Sequence, residues 1–110
     1  MCIMTSYNLI NGVHAANNYD LCTTAARKEW GFKGVIMTDW LTTLPEAGST
    51  PYLCAKAGND LIMPGLESDL QDLCQAYEEG LLGDEEVRAC TERLINVILR
   101  TNAYEDDNEA

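Results

Sequence analysis

The residues best placed to do chemistry are Asp39, Trp40 and Tyr7. Asp39 and Trp40 follow the run Val35-Ile36-Met37-Thr38, bracketed upstream by Gly31 and Gly34. That run is too short and apolar for a surface helix and reads as a strand buried on both faces. A carboxylate cannot lie unpaired inside a sheet, so Asp39 is expected at the strand's C-terminal end, facing a cleft. In parallel α/β architectures that end carries ligands and chemistry. Tyr7 ends a second short strand, Cys2-Ile3-Met4-Thr5, so a parallel sheet brings its hydroxyl to the same mouth. A phenol there can donate a hydrogen bond to a carboxylate and favour its ionised form. Trp40 offers an indole face to a ligand or to a core. On residue types alone the plain readings stay open: Asp39 as a cap, Tyr7 and Trp40 as packing.

The elements that must position these residues alternate. After the first strand, Asn8 to Asn18 reads as a polar loop with an Asn11-Gly12 turn. A helix is expected from about Tyr19 to Glu29, then the strand Val35 to Thr38, then a loop from Leu41 to Thr50 long enough to project over a site. Pro51 to Lys56 fits a short helix, and Asp60 to Met63 a third buried strand halted by Pro64-Gly65. A helix from about Glu67 to Glu79 sets Leu66, Leu70, Leu73, Cys74 and Tyr77 on one stripe. Asp84 is expected to cap a last helix to about Arg100, buried through Val87, Cys90, Leu94, Val97 and Ile98. Alternating strands and helices argue for βα units on a parallel sheet, within one domain.

Charge and cysteines narrow the function classes. Residues 1–40 balance three basic against three acidic groups, so the net charge of −11 arises entirely from residues 41–110. Such a surface repels phosphate backbones and anionic lipid, which makes nucleic acid and membrane poor partners. Cys2, Cys22, Cys54, Cys74 and Cys90 are scattered without a Cys-x-x-Cys pair, which fits buried free thiols rather than a disulfide framework or zinc site. A reducing compartment suits them, so a cytoplasmic location is expected. His14, the single histidine, has no base–orienter arrangement around it and no metal pattern. Arg27 reads as structural, and Asp60 as a turn or cap residue at the face opposite Asp39.

Several blocks then occur in a telling order. Thr5-Ser6-Tyr7-Asn8, Asn11-Gly12, Arg27 to Gly34, Thr38-Asp39-Trp40 and Ala57 to Gly65 resemble, in that order, the family-3 glycoside hydrolases of the β-glucosidase and β-xylosidase branch. The resemblance runs from Met4 to about Tyr104. It implies an α/β fold that is part of a (β/α)8 barrel, about three βα units and a C-terminal helix. A complete barrel needs at least ~200 residues, so residues 1–104 are expected to be a C-terminal segment of one, with 105–110 an acidic tail.

By the same resemblance Asp39 is the catalytic nucleophile of a retaining β-glycosidase, Trp40 borders the leaving-group sugar, and Tyr7 lies beside the nucleophile. Met63 would add an apolar rim. The remaining sugar-binding groups and the acid/base Glu belong to the rest of the barrel and a separate domain. The expected substrate is a β-linked glucoside or oligosaccharide, with no metal or organic cofactor. The 110-residue chain alone is expected to be inactive and to self-associate through open strand edges. The competing reading is a non-catalytic carbohydrate-binding fragment using Tyr7 and Trp40. A dinucleotide-binding half-domain ranks last, because no Gly-x-Gly-x-x-Gly follows a strand.

Overall fold

The computed structural model describes residues 2–101 and has the strand Val35–Thr38 (β4) at its centre. Its first partner is Cys2–Thr5 (β1), paired in parallel with Cys2 opposite Val35 and Thr5 opposite Thr38. On its other side Leu61 forms a single parallel bridge to Met37. The expected alternation therefore stands as an α/β arrangement around three parallel segments, two of them full strands. The third is not the four-residue strand that Asp60 to Met63 suggested. The Ile36 carbonyl accepts both Asp60 N–H and Leu61 N–H, at 2.6 and 3.3 Å, and Met63 N–H turns to the Thr38 hydroxyl. Side chains at both ends thus draw the backbone away from a regular ladder.

The stretch after Tyr7 is also more ordered than a polar loop. Leu9–Ile10 (β2) and Val13–His14 (β3) pair antiparallel, closed by Asn11 and Gly12, both at positive φ. An Asn-Gly pair tolerates that two-residue hairpin turn, so the turn signal is correct and only the flanking strands were not legible. A 3-10 turn at Ala15–Asn17 follows. The helix expected near residue 19 spans Asp20–Glu29 and has the wider π pattern; Trp30 N–H extends it by reaching back five residues to the Ala25 carbonyl.

Three α-helices complete the fold: Pro51–Ala57 (α1), Glu67–Glu78 (α2) and Asp84–Leu99 (α3). Proline opens α1, where its missing N–H costs nothing, and Gly58 at φ 95° ends it. In α2 the Asp69 carboxylate reaches back to Leu66 N–H at 2.8 Å. In α3 Glu86 does the same for Gly83 N–H, so Gly83 rather than Asp84 is the capping position. Asp84 instead sits in the first turn, where its charge favours the helix dipole.

The core is small-residue packing. Ile36 of β4 meets Cys22 and Ala26 of the π-helix and Ala57 of α1, with Phe32 against them. The apolar stripes expected to be buried on α2 and α3 are mostly not. Leu70, Tyr77, Val87 and Ile98 are exposed, and only Ala76, Leu82 and Cys90 of this region are apolar and buried. Leu70, Leu73, Val87 and Leu94 instead line an open groove of about 1120 Å³ between α2 and α3. Periodicity marks an apolar face, but not whether the same stretch of chain supplies its cover.

Beneath the strands lies one ionic cluster. The Asp60 side chain is fully buried and is clasped by Arg27 Nη2 and Arg93 Nη2, both at 2.7 Å. Asp60 also accepts Ile36 N–H, while Arg27 donates to the Gly34 and Gly58 carbonyls. Asp60 is therefore an anchor at the start of the third segment rather than a cap. Removing one partner of a buried pair strands the others, at a cost of about 3–5 kcal/mol. Asp60→Ala should lower the unfolding free energy by that order in chemical denaturation, whereas exposed Arg88→Ala should stay within about 0.5 kcal/mol. Equal effects from the two would contradict the anchor.

The thiols give a second test. Cys22, Cys54 and Cys90 are buried, and burial pushes them up to about 11, 12 and 11. Cys2 and Cys74 are exposed. A disulfide reagent at neutral pH should modify Cys2 and Cys74 quickly and the other three only on unfolding. Because the folded state holds those three thiols protonated, stability should fall as pH rises above about 9, where unfolded thiols ionise. A rise in stability across that range would refute the burial.

Candidate functional site

The parallel register of β1 and β4 decides where the candidate residues meet. With Thr5 opposite Thr38, the chain leaves both strands at the same edge. Asp39 N–H donates to the Thr5 carbonyl at 3.2 Å, so the first residue past β4 is tied to the end of β1. Strand alternation sets the faces: Ile36 points into the helix-covered core, as does Thr38, and Asp39 takes the other side. Tyr7, Asp39 and Trp40 come together there.

Their contacts are specific. The Tyr7 hydroxyl donates to the Trp40 carbonyl. Lost hydration raises the Tyr7 phenol above its usual value, and the nearby charge of Asp39 raises it further. The phenol is therefore a lasting donor beside this carboxylate. Asp39 Oδ1 accepts Trp40 N–H at 2.7 Å, which fixes the side-chain rotamer. Trp40 is 56% exposed, so the described residues leave much of it uncovered beside Asp39.

Residues the sequence left aside support this rim. His14, carried on β3, has Nδ1 at 3.0 Å from the Tyr7 carbonyl. Its other ring nitrogen packs on Gly48, where an added Cβ would approach to 2.6 Å. Positive φ at Gly48, 89°, favours glycine there as well. Leu41 to Thr50 does not project as a free loop. The Thr42 and Ser49 hydroxyls are 2.8 Å apart and buried, Thr43 donates to Asp69, and Asn17 exchanges two hydrogen bonds with Thr50. Asn59, also buried, joins Thr5 to the Ala16 carbonyl beneath the rim. The sequence signal for these ties was slight: small polar residues inside apolar stretches.

Met63 lies beside the same edge. Its N–H reaches the Thr38 hydroxyl and its carbonyl accepts Leu41 N–H at 3.0 Å. Among the described residues, no hydrogen bond links Asp39 to a second carboxylate, and no group of three or more His, Cys, Asp or Glu could hold a metal. No described helix is long and apolar enough to cross a membrane.

Comparison with known proteins follows the same lines. Residues 1–97 match the "Glycosyl hydrolase family 3 N terminal domain". A β-glucosidase of Rhizobium radiobacter is 38% identical over 104 residues, covering 94% of this chain and 12% of the relative. An exo-alpha-(1->6)-L-arabinopyranosidase of Bifidobacterium longum is 37% identical over 101 residues, covering 92% of this chain and 12% of the relative. The structure of β-glucosidase 3B from Thermotoga neapolitana in complex with glucose superposes with a TM-score of 0.83 at 32% identity, over 96% of this chain and 15% of that one. This chain thus spans about 12% of the length of these two curated relatives. The expected C-terminal barrel segment is accordingly restated as a segment of the family's N-terminal domain. Its sequence over residues 1–97 and its α/β fold agree on one assignment: the chain belongs to glycosyl hydrolase family 3.

Proposed function

We propose that this chain forms the nucleophile-bearing part of a (β/α)8 barrel in a retaining β-glycosidase, with β-glucosides as the leading substrate class. The observation that carries the reading is the meeting of Asp39, Tyr7 and Trp40 past the C-terminal ends of two parallel strands. The β-glucosidase relatives favour glucosides, while the arabinopyranosidase shows that related chains accept another sugar.

In this mechanism Asp39 attacks the anomeric carbon and the glycosidic C–O bond breaks. The leaving oxygen takes a proton from a carboxylic acid about 5–5.5 Å from Asp39, supplied from outside residues 2–101. Water then attacks the glycosyl ester, gives its proton to that second carboxylate, and frees Asp39. Tyr7, kept protonated and bonded to the Trp40 carbonyl in the resting chain, turns its one O–H to the nucleophile when substrate is bound and steadies it. Trp40 lends an apolar wall to the sugar on the leaving side. The strand ends hold all three before substrate arrives, which is how preorganised groups lower a barrier. By itself the chain is inactive, because retention needs both carboxyls.

The test is a chimera in which residues 2–101 replace the aligned segment of the T. neapolitana enzyme. Asp39→Asn should cut turnover of 4-nitrophenyl β-glucoside by several orders of magnitude, and a 2-deoxy-2-fluoro-glucoside should label Asp39. A label on another carboxylate would overturn the assignment. Binding of glucose without turnover, in a chimera that folds, would favour the purely carbohydrate-binding reading.

The two aromatic residues separate by kinetic signature. Trp40→Ala should raise KM for substrates with a sugar leaving group while leaving activated aryl glycosides largely unaffected. Tyr7→Phe should slow glycosylation by roughly tenfold, the effect of one hydrogen bond to a charged group. Unchanged kinetics in both would reduce them to packing residues.

A further inference from the structure

Asp39 and Trp40 form a two-residue step whose ends are both fastened to the same neighbour, Met63. On one side Met63 N–H donates to the Thr38 hydroxyl at 2.8 Å. On the other, the Met63 carbonyl accepts Leu41 N–H at 3.0 Å. Met63 thus spends its backbone donor and acceptor on the residues that flank the step. The opposite side is held by the bond from Asp39 N–H to the Thr5 carbonyl. Leu41 sits at φ 63°, a conformation unfavourable for a leucine, so the turn would relax without an external hold.

We propose that Thr38 is a positioning residue, whose hydroxyl sets the place of Asp39 by holding Met63. The proposal rests on the reading of Asp39 as the nucleophile. Thr38 is fully buried, on the face of β4 away from Asp39, so it touches no substrate. Its backbone N–H already pairs with the Leu61 carbonyl at 2.9 Å, which would hold the strand whatever the side chain. The hydroxyl adds a different link, one that reaches beyond the strand pairing to the turn itself. Valine matches the shape of threonine but offers no acceptor, so Met63 N–H would be left without a partner at this edge. Serine keeps the acceptor and loses only a methyl group. The two substitutions therefore separate the hydrogen bond from the packing.

The experiment uses the same chimera, with Thr38→Val, Thr38→Ser and Asp39→Asn compared for kcat, KM, melting temperature and peptide-level hydrogen exchange at 61–66. Thr38→Val should lower kcat by about 10- to 100-fold, the cost of a slightly misplaced reacting group, with KM nearly unchanged. The 61–66 peptide should exchange roughly tenfold faster. Thr38→Ser should restore both readouts. If Thr38→Val fails to fold, Thr38→Ala, which cannot overpack, takes its place. Parental kcat in Thr38→Val, or an equal loss in Thr38→Ser, would overturn the proposal. Full activity in Asp39→Asn would instead sink the nucleophile assignment, and the exchange of 61–66 would still report whether Thr38 holds Met63.

Discussion

The buried carboxylate of Asp60 is the constraint on which the other elements depend. It has no access to water, so its charge must be met inside, and Arg27 and Arg93 meet it from two helices distant in sequence. The same carboxylate accepts Ile36 N–H, and Arg27 goes on to the Gly34 and Gly58 carbonyls. One charge therefore brings the π-helix, the start of β4, the end of α1 and α3 to a common point. Burial pushes Arg27 below its usual value, and the Asp60 charge pulls it back. The cluster is not a large net gain over an apolar core of the same shape; what it does is join those four elements at one point.

That lower anchor and the upper rim are the two ends of β4. Only four residues, Val35–Thr38, separate the glycine turn beside Arg27 from Asp39. A strand fixed at its base by Asp60 and at its top by Thr5, Thr38 and Met63 has little freedom to slide or twist. A slip of one residue would turn Asp39 into the helix-packed face and Thr38 outward. Polar ties at both ends make that slip costly, while the short apolar middle makes the strand buried. Position at the site follows from the base as much as from the rim.

The legible parts of the sequence were those with a local cause. Val35 to Thr38 announced itself by composition, Asn11-Gly12 by turn chemistry, and Pro51 by its place at a helix start, and each lies where expected. Asp39, Trp40 and Tyr7 were legible as a group because a parallel register forces strand ends together. The rest needed partners far away in sequence. Nothing near Asp60 reveals that Arg27 and Arg93 will converge on it, and nothing near Thr38 reveals that Met63 will turn to its hydroxyl. The hairpin strands of β2 and β3 are two residues each, below the length at which alternation can be recognised.

The open groove between α2 and α3 fits the same division between polar and apolar forces. The buried apolar residues are mostly small, alanines and cysteines with Val35, Ile36 and Leu82, while large side chains such as Leu70, Val87 and Ile95 are left at the surface. Burial at ~25 cal/mol per Å² gives such a core limited stabilisation, so directional bonds must do much of the positioning. They do: Asn17 with Thr50, Thr43 with Asp69, Asn59 with Thr5, and Thr23 with the Ala57 carbonyl each join segments more than 20 residues apart. Hydrogen bonds fix distances and angles where apolar contact fixes only proximity. A site whose reaction depends on the placement of one carboxylate is better held by the former. Across the groove between α2 and α3 the tie is again polar, the Tyr77 hydroxyl donating to the Asp84 carboxylate, while the leucines and valine around it stay open. The placement of Asp39 thus rests on polar links at both ends of β4, and through Arg93 with Asp60 and Asp69 with Thr43 those links reach α3 and α2 as well.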